Sequence, residues 1–423
     1  MIKNKNVLVL TSSWKPNYTM NGIVIKNLVE VLREDNDIYI VSFRQADDDD
    51  EMFDGKKIKY VYGHPYRLRK ARNAEKLHQN KGIIKRIYRI KTNIIRSISS
   101  LCRIISPIGI NYEMCRKYLK ALEEMLSNYH IDYVLALGEP YETYYGIDKI
   151  HSRYPNIKYV IYQVDRFASS EVKGPTLCPY KLRNWNRKRM LERISKFARI
   201  CIVNYAYSIE RSVLKNADEI HEIGQPLVKK RNGGSIINRE DTFINMVYAG
   251  SLYKNARPVR GCLDVLDKLT NYGKYRVHFY HRGDCGDDIL LASQKNKDGI
   301  IDHGSVGADE AYLATESADV LFCISTVKGN YISGKTFEYI STGKPIVFFY
   351  HNEEDLSLSY FKEYRHIIFI KLDDNMVDEN ADRISKFINK TLGSRVPFDE
   401  IERIFAFDTP KGVVETLFPS GGQ

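Results

Sequence analysis

The sequence lacks any apolar run of the ~18–20 residues that a membrane-spanning helix needs, so no segment is expected to cross a bilayer. Its seven cysteines include no C-x-x-C pair, and most lie in apolar stretches, which favours reduced, buried thiols in a cytoplasmic protein over a zinc site or disulfide framework. The apolar run near the N-terminus, Val7 to Leu10, is too short for a signal peptide. Apolar residues make up 43% of the chain, which excludes a disordered or collagen-like protein.

Acidic residues are scarce in the first half of the chain. Residues 1–230 carry 41 Lys+Arg and 25 Asp+Glu, a net charge of +16, whereas the remainder carries 23 and 28, a net of −5. The sum is the overall +11. The basic excess therefore belongs to the first half, which we expect to meet an anionic partner.

Alternating strand and helix patterns fill both halves of the chain. Apolar runs followed by small polar residues or glycine alternate with amphipathic segments, which predicts α/β domains with doubly wound parallel sheets. The glycine- and charge-rich segment 225–241 interrupts the pattern and is the predicted linker. We therefore expect a first domain over 1–228 and a second over 240–395, followed by a tail over 396–423.

The segment from Gly329 to Val347 joins two buried apolar strands through a short helix. Ser333, Gly334 and Lys335 stand at the entry to this helix, where free backbone N–H groups and one ammonium suit a diphosphate. Glu338 follows one turn later and can accept hydrogen bonds from sugar hydroxyls. The alternative is that Ser333 and Gly334 only cap a core helix and that Glu338 faces water.

This segment carries a family resemblance. The pattern strand, [S/P]-x-K-x-F-E-Y-x-x-x-G-K-P, strand resembles that of GT-B glycosyltransferases, especially the group-1 (family 4-like) bacterial polysaccharide enzymes. The resemblance implies two Rossmann-like domains facing across a cleft and transfer of a sugar from a nucleotide-sugar to a hydroxyl of a glycan acceptor, one that we expect to be lipid-linked. It implies that the tail over 396–423 crosses back onto the first domain. It also implies no cofactor beyond the nucleotide-sugar and no metal.

The start of the second half, 247–261, resembles the opening of that family's nucleotide-binding domain. There a glycine after the first strand precedes basic residues that meet the diphosphate. The matching positions are Gly250 with the adjacent Ser251, followed by Lys254, Arg257 and Arg260. The resemblance makes these residues candidates for donor binding.

One position departs from the family pattern. Many relatives carry E-x7-E, with the first carboxylate near the reacting sugar, but here Glu338 fits the second position and Asn330 occupies the first. The donor-side carboxylate is therefore absent or supplied elsewhere. This departure also favours a second interpretation, a non-catalytic partner subunit with a GT-B-like fold.

The same residues match a phosphate-binding loop. Gly329-x-x-x-x-Gly334-Lys335-Thr336 fits the Walker A pattern between a strand and a helix. The strand that follows does not end in the aspartate that would hold Mg²⁺, and fewer than ninety residues remain after Thr336. The NTPase interpretation is therefore the weaker alternative.

Candidates for acceptor binding lie after strands of the first half. Gly22, where the first strand meets the first helix, permits close approach of a ligand or marks an ordinary turn. Asp165 and Glu139 each close an apolar strand, and either is a candidate base for the acceptor hydroxyl, a base that is needed if the reaction inverts the anomeric centre. A helix cap or loop carboxylate is the alternative for both.

No metal site is expected. The acidic run from Asp47 to Glu51 is interpreted as a solvated loop, because adjacent like charges repel one another. His281 and His303 lie near strand ends without metal-ligand spacing, so both are expected to be partly buried or to line the cleft.

Two basic stretches remain, 67–103 with twelve Lys+Arg and one acid, and 181–199 with eight and one. Within the first, isoleucines repeat at helical spacing over 83–101, which predicts an amphipathic helix with a cationic polar face. Such a helix suits the anionic inner surface of a membrane, with the protein cytoplasmic and peripheral. The alternative is that the isoleucines face the domain core. No nucleic-acid-binding motif is visible, so nucleic acid is not an expected partner.

Overall fold

The chain folds into two compact units. The computed structural model describes residues 1–14, 20–45, 47, 49–77, 82–170, 178–231, 233 and 243–419. The first unit comprises Met1–Pro226 and the residues from Pro410 onward, and the second comprises Leu227–Thr409. The chain thus passes between the units inside the predicted linker 225–241, of which residues 232 and 234–241 lie outside the described residues.

The first unit contains a seven-stranded sheet in the order β5-β2-β1-β6-β7-β8-β9, with every neighbouring pair parallel. A short antiparallel hairpin, β3-β4, stands apart from this sheet. The strand order reverses between β1 and β6, which is the switch point where ligands bind in doubly wound sheets. The strands are β1 Asn6–Thr11, β2 Asp37–Phe43, β3 Met52–Phe53, β4 Lys56–Lys57, β5 Lys59–Val61, β6 Tyr133–Leu137, β7 Lys158–Gln163, β8 Ala198–Val203 and β9 Ile220–Ile223.

Helices connect these strands, and the last helix of the chain completes the unit. They are α1 Met20–Leu32, α2 His64–Leu77, α3 Gly82–Ile104, α4 Tyr112–Asn128, α5 Glu142–Ile150, α6 Tyr180–Ile194, α7 Asn204–Val213 and α15 Pro410–Leu417. The central strands are buried on both faces, as parallel strands covered by helices must be, and this explains why they read as continuous apolar runs.

The second unit repeats the scheme with a six-stranded parallel sheet in the order β12-β11-β10-β13-β14-β15. Its switch point lies between β10 and β13. The strands are β10 Ile244–Leu252, β11 Tyr275–Gly283, β12 Ile300–Gly304, β13 Val320–Ile324, β14 Ile346–Tyr350 and β15 Ile367–Lys371. The helices are α8 Arg260–Thr270, α9 Gly286–Lys295, α10 Ala308–Ser317, α11 Gly334–Ile340, α12 Leu356–Phe361, α13 Val377–Thr391 and α14 Phe398–Ile404.

The end of the chain is divided between the units. Residues 396–409, predicted to begin the returning tail, remain with the second unit and contain α14. The return occurs at Pro410, where α15 packs against α1, β8 and β9 of the first unit. The Arg199 guanidinium in β8 donates to the carbonyl oxygen of Thr416 at 3.2 Å, which fixes α15 to the sheet.

The predicted amphipathic helix forms as α3, but its apolar face points outward. Ile83, Ile87 and Ile94 are 79%, 58% and 53% exposed, whereas Thr92 is 3% exposed. The alternative that these isoleucines face the domain core is therefore wrong. Among the described residues no helix is both long and apolar enough to cross a membrane.

Candidate functional site

The carboxyl ends of β10 and β13 place the predicted donor residues at the switch point of the second unit. Gly250 and Ser251 lie near the end of strand β10, and Ser333 immediately precedes α11, which follows β13. The N–H of Ala249 donates to the hydroxyl oxygen of Tyr339 at 2.8 Å, which binds α11 to the end of β10. Phe337 and Tyr339 are fully buried, so the opposite side of α11 carries its polar residues.

Lys335 and Glu338 form an ion pair on that polar side. Lys335 Nζ donates to Glu338 Oε2 at 2.7 Å, and the two side chains are 36% and 18% exposed. Glu338 Oε1 is buried and has no hydrogen-bond partner among the described residues. A buried carboxylate oxygen without a partner costs free energy unless a donor reaches it, so this atom has an unused capacity to accept a hydrogen bond.

Arg257 joins this pair around Cys323, in β13. Burial raises the pKa of the Cys323 thiol to about 12, the hydrogen bond with Thr336 and the charges of Arg257 and Lys335 oppose the rise, and Glu338 adds to it. All of these charges therefore lie close to one thiol. Arg257 also donates from Nη1 to the carbonyl oxygen of Ser251 at 3.3 Å, while its Nε is buried without a partner among the described residues.

Lys254 and Arg260 are held by an acidic residue that the sequence did not single out. Arg260 contacts Asp288 Oδ1 through Nε and Nη2 at 3.1 and 3.0 Å, and Lys254 Nζ lies 3.8 Å from Asp288 Oδ2. The backbone N–H of Lys254 donates to Asp284 Oδ1 at 2.7 Å. Asp288, in α9, thus already neutralises part of the charge of Lys254 and Arg260, whereas Arg257 contacts a backbone carbonyl oxygen.

The Walker A interpretation is wrong in its geometry. Thr336, whose hydroxyl would have to reach Mg²⁺, is fully buried, and its Oγ1 donates to Cys323 Sγ at 3.7 Å. Gly329 has φ +60° and a Cβ there would stand 2.8 Å from the Cα of Asp355. This glycine is needed for close backbone packing beneath the loop, not for cradling a phosphate.

In the first unit, the predicted acceptor residues gather after β1, β6 and β7. Gly22 lies in the first turn of α1, next to Asn21, whose Nδ2 donates to Glu139 Oε2 at 2.5 Å. Burial raises the pKa of the Glu139 carboxyl, the Asn21 hydrogen bond opposes the rise, and the Asp165 carboxylate adds to it. Burial likewise raises the pKa of Asp165, against the hydrogen bond from the Arg166 N–H.

Glu210 supports the loop that follows Asp165. This fully buried carboxylate accepts hydrogen bonds from the backbone N–H groups of Phe167, Ala168 and Ser169 at 3.1, 3.1 and 2.7 Å. Each such bond to a charged acceptor is worth roughly 1.5–3 kcal/mol. The sequence signal for this role is a glutamate in the middle of helix α7.

The acidic run after β2, of which Asp48 lies outside the described residues, is only partly solvated. Asp49 is 6% exposed and accepts a hydrogen bond from the backbone N–H of Gln45 at 2.6 Å, and Arg44 pairs with Glu51 at 2.6 Å. The expectation of a fully solvated loop is therefore wrong for Asp49, because a buried arginine offsets its charge. The described part of the chain contains no group of three or more His, Cys, Asp or Glu side chains placed to hold a metal.

The two histidines near strand ends have protein partners. His281 Nε2 lies 2.9 Å from Asp302 Oδ1, and His303 Nε2 lies 3.0 Å from His278 Nδ1. The His303 ring also stacks on Tyr280 at 4.1 Å. Burial lowers the pKa of His303, so the neutral ring is favoured.

The sequence matches no protein-family model and no curated protein. Solved structures, however, share the fold over nearly the whole chain. TarM superimposes with a TM-score of 0.60 at 12% identity, covering 98% of this chain and 99% of that one. UDP-GlcNAc 2-epimerase from Methanocaldococcus jannaschii gives 0.55 at 13%, covering 95% and 99%. The lipopolysaccharide outer core galactosyltransferase WaaB in its apo form gives 0.50 at 13%, covering 98% and 99%.

Likeness at this identity establishes the fold. The two parallel-sheet units and these structural neighbours show a GT-B fold built from two Rossmann-like domains, which confirms the prediction from the motif around Glu338.

Proposed function

We propose that the protein transfers a sugar from a nucleotide-sugar donor to a hydroxyl of a glycan acceptor. The observation that carries the proposal is the buried, unpartnered Oε1 of Glu338 beside Lys335, at the switch point of the second sheet, within the described part of the chain. A second structure of TarM, a point mutant of the S. aureus protein with a TM-score of 0.55 at 12% identity, contains UDP and alpha-GlcNAc-glycerol. A fold of this kind thus accommodates a nucleoside diphosphate.

On this proposal the second unit binds the donor. Gly250, Ser251, Ser333 and Gly334 let the diphosphate approach the backbone, Lys335 and Arg257 supply positive charge, and Lys254 contributes if its contact with Asp288 opens. Glu338 accepts hydrogen bonds from the ribose. As the bond between the anomeric carbon and the diphosphate oxygen breaks, these cations stabilise the charge on the leaving diphosphate, and the reaction needs no metal.

The first unit supplies the acceptor site. Glu139 or Asp165 removes the proton from the acceptor hydroxyl, and Gly22 leaves room for the acceptor beside the end of β1. Burial raises the pKa of both carboxyls. A carboxylate with a raised pKa is the better general base near neutral pH, because base strength and the ionised fraction are then both high.

Nucleotide binding tests the donor site directly. A thermal-shift panel of nucleoside diphosphates and nucleotide-sugars should raise the melting temperature for one base, since a ligand of the folded state stabilises it. A flat response across the panel would refute the proposal. Product analysis then distinguishes glycosyl transfer from epimerisation. Release of nucleotide only in the presence of acceptor supports transfer. An epimerised nucleotide-sugar formed without acceptor indicates an epimerase. Binding without turnover indicates the partner subunit that Asn330 suggests.

We further propose that the acceptor is lipid-linked, that the reaction belongs to bacterial surface polysaccharide synthesis, and that the protein is a cytoplasmic one acting at an anionic membrane surface through 67–103 and 181–199. The second stretch contributes less than its composition implies. Arg183 and Arg187 within it are only 3% and 8% exposed, and Arg193 pairs with Asp148 at 2.7 Å. Flotation with vesicles that contain or lack anionic lipid tests this attraction, and equal flotation in both would contradict it.

A further inference from the structure

Helix α3 exposes a continuous apolar stripe. Residues three and four apart share one face of a helix, and seven large apolar side chains at that spacing are 52–79% exposed. They are Ile83, Ile87, Ile90, Ile94, Ile98, Leu101 and Ile105, the last just beyond the helix end. Globular proteins rarely leave so many neighbouring large apolar groups in water without a partner for them. We call these seven residues the α3 stripe.

The opposite face of α3 packs on the protein. Helix α3 has its most extensive helix contact with α2, and Thr92, which is buried, lies half a turn away from the stripe. The buried side chain on this face is thus a threonine, whereas the isoleucines of the stripe are exposed. In an ordinary surface helix the apolar face is the buried one. The exposure of the α3 stripe is therefore not explained by packing in the domain core.

The charge of α3 distinguishes between two partners that could cover the stripe, a second copy of the chain and a lipid surface. Helix α3 contains Lys85, Arg86, Arg89, Lys91, Arg96 and Arg103 and no acidic residue. A second copy of the helix would bring like charges together along the seam, whereas coiled-coil partners use complementary charges at flanking positions. An anionic lipid surface offers both an apolar interior for the stripe and negative headgroups for the flanking cations.

A second exposed apolar group adjoins the end of α3. In α6, Leu182 and Trp185 are 46% and 49% exposed, and the Arg189 guanidinium lies 4.7 Å from the Trp185 ring centre. Tryptophan is enriched at membrane–water interfaces. Helix α6 is bound to the segment that follows α3, because Arg187 Nε donates to the carbonyl oxygen of Ile108 at 2.7 Å.

This surface borders the acceptor carboxylates. The same Arg187 guanidinium donates from Nη1 to the carbonyl oxygen of Phe167 at 3.2 Å, two residues after Asp165. At the end of α3, the Arg103 charge is close enough to lower the pKa of Glu139, against the effect of burial. Arg187 of α6 thus connects the segment that follows α3 with the loop that follows Asp165, within the first unit.

We propose that the α3 stripe, with Leu182 and Trp185, inserts into the interfacial layer of an anionic membrane and so presents the Glu139–Asp165 site to a membrane-anchored acceptor. The presentation of the site to a membrane-anchored acceptor rests on the proposed function, whereas the insertion of the helix does not. Helix α3 lies along the surface, with Arg86 and Lys91 flanking the stripe at headgroup level. Attraction to the membrane thus requires both the charge and the isoleucines.

Vesicle binding by the full chain tests the insertion. The wild type should bind vesicles of phosphatidylcholine with phosphatidylglycerol and bind phosphatidylcholine alone far more weakly. Ile90→Ser/Ile94→Ser/Ile98→Ser should weaken binding at least about tenfold, because three half-exposed isoleucines no longer leave water. Leu291→Ser, at an equally exposed apolar residue of the second unit (65%), is the matched control and should bind as the wild type does.

The depth to which α3 enters the bilayer can be measured independently of vesicle binding. The fluorescence of Ile94→Trp, corrected for Trp14 and Trp185, should shift to shorter wavelength with anionic vesicles and be quenched by brominated lipid. Equal vesicle binding by the triple variant and the wild type, or an unshifted Ile94→Trp spectrum, would overturn insertion. Insertion would also be overturned if sedimentation showed that the wild type is an oligomer and the triple variant is a monomer. The stripe would then join two copies of the chain.

The outcomes keep the two proposals apart. The triple variant should retain the wild-type thermal shift with nucleoside diphosphate, which also reports that it is folded. Lost vesicle binding with an intact nucleotide response supports insertion. Intact vesicle binding with no nucleotide response would remove the proposed function and leave the membrane surface in place.

Discussion

The ribose contact of Glu338 permits the sharpest test of the donor site. Glu338→Ala removes a carboxylate whose Oε2 binds Lys335 and whose Oε1 is buried without a partner among the described residues. Hydrogen bonds to a charged acceptor contribute about 1.5–3 kcal/mol net, so the loss should weaken nucleoside diphosphate binding about 10- to 150-fold. The released Lys335 opposes this loss only slightly, because a partly exposed ion pair is worth about 0–1 kcal/mol.

Calorimetry with paired ligands isolates the effect. The nucleoside diphosphate that gives the largest thermal shift should bind the wild type more tightly than its 2′-deoxy analogue, and Glu338→Ala should abolish that difference. Inorganic pyrophosphate should bind the variant at least as well as the wild type, because Lys335 is then free. Glu400→Ala, which breaks the ion pair with Arg365 at 3.0 Å in the same unit, is the control. Unchanged affinity and unchanged ribose discrimination in Glu338→Ala would refute the reasoning.

Three further predictions concern catalysis and stability. Of the two variants that remove a candidate base, Glu139→Gln and Asp165→Asn, one should abolish transfer without changing nucleotide affinity. The wild-type rate should fall with decreasing pH at a value above the ordinary pKa of that carboxyl, about 4.3 for glutamate and about 3.9 for aspartate, because burial raises the pKa of both. Full transfer by both variants, or a wild-type acid limb at the ordinary value, would contradict this. Burial lowers the pKa of Lys344 to about 7. Between pH 7 and 10 the unfolded chain therefore binds more protons than the folded one, and the free energy of unfolding should rise by about 1.4 kcal/mol per pH unit. In denaturant titrations, Lys344→Met should remove this slope. Gly329→Ala should lower the melting temperature, because φ is +60° and the added Cβ meets Asp355, whereas Gly307→Ala, with open space around it, should not.

Strands and switch points could be predicted from the sequence because they depend on local patterns. Strand β6, Tyr133–Leu137, coincides with the apolar run YVLAL of the sequence, since a buried parallel strand is an apolar run between polar residues. Once each half is known to be doubly wound, the residues after β10 and β13 must lie near the switch point. The grouping of Lys335, Glu338 and Arg257 around Cys323 follows from that topology.

Contacts between residues distant in sequence could not be predicted. Nothing local to Arg260 indicates that Asp288, in another helix, holds its guanidinium. Arg44 is only five residues from Asp49, but its own burial, which allows the Asp49 carboxylate into the interior, depends on packing that the local sequence does not indicate. Helical periodicity showed which isoleucines of α3 share a face, but the side that a neighbouring helix covers is decided by tertiary packing.

The division of the chain at Pro410 has a consequence for synthesis. Val413, Val414 and Leu417 of α15 are buried in the first unit, whose remaining residues end at Pro226. On the ribosome, the N-terminal domain must therefore wait for the whole second domain to be translated before its last helix arrives. A chain terminated at any codon between these points leaves apolar surface on α1 uncovered, which makes premature stops costly for both domains.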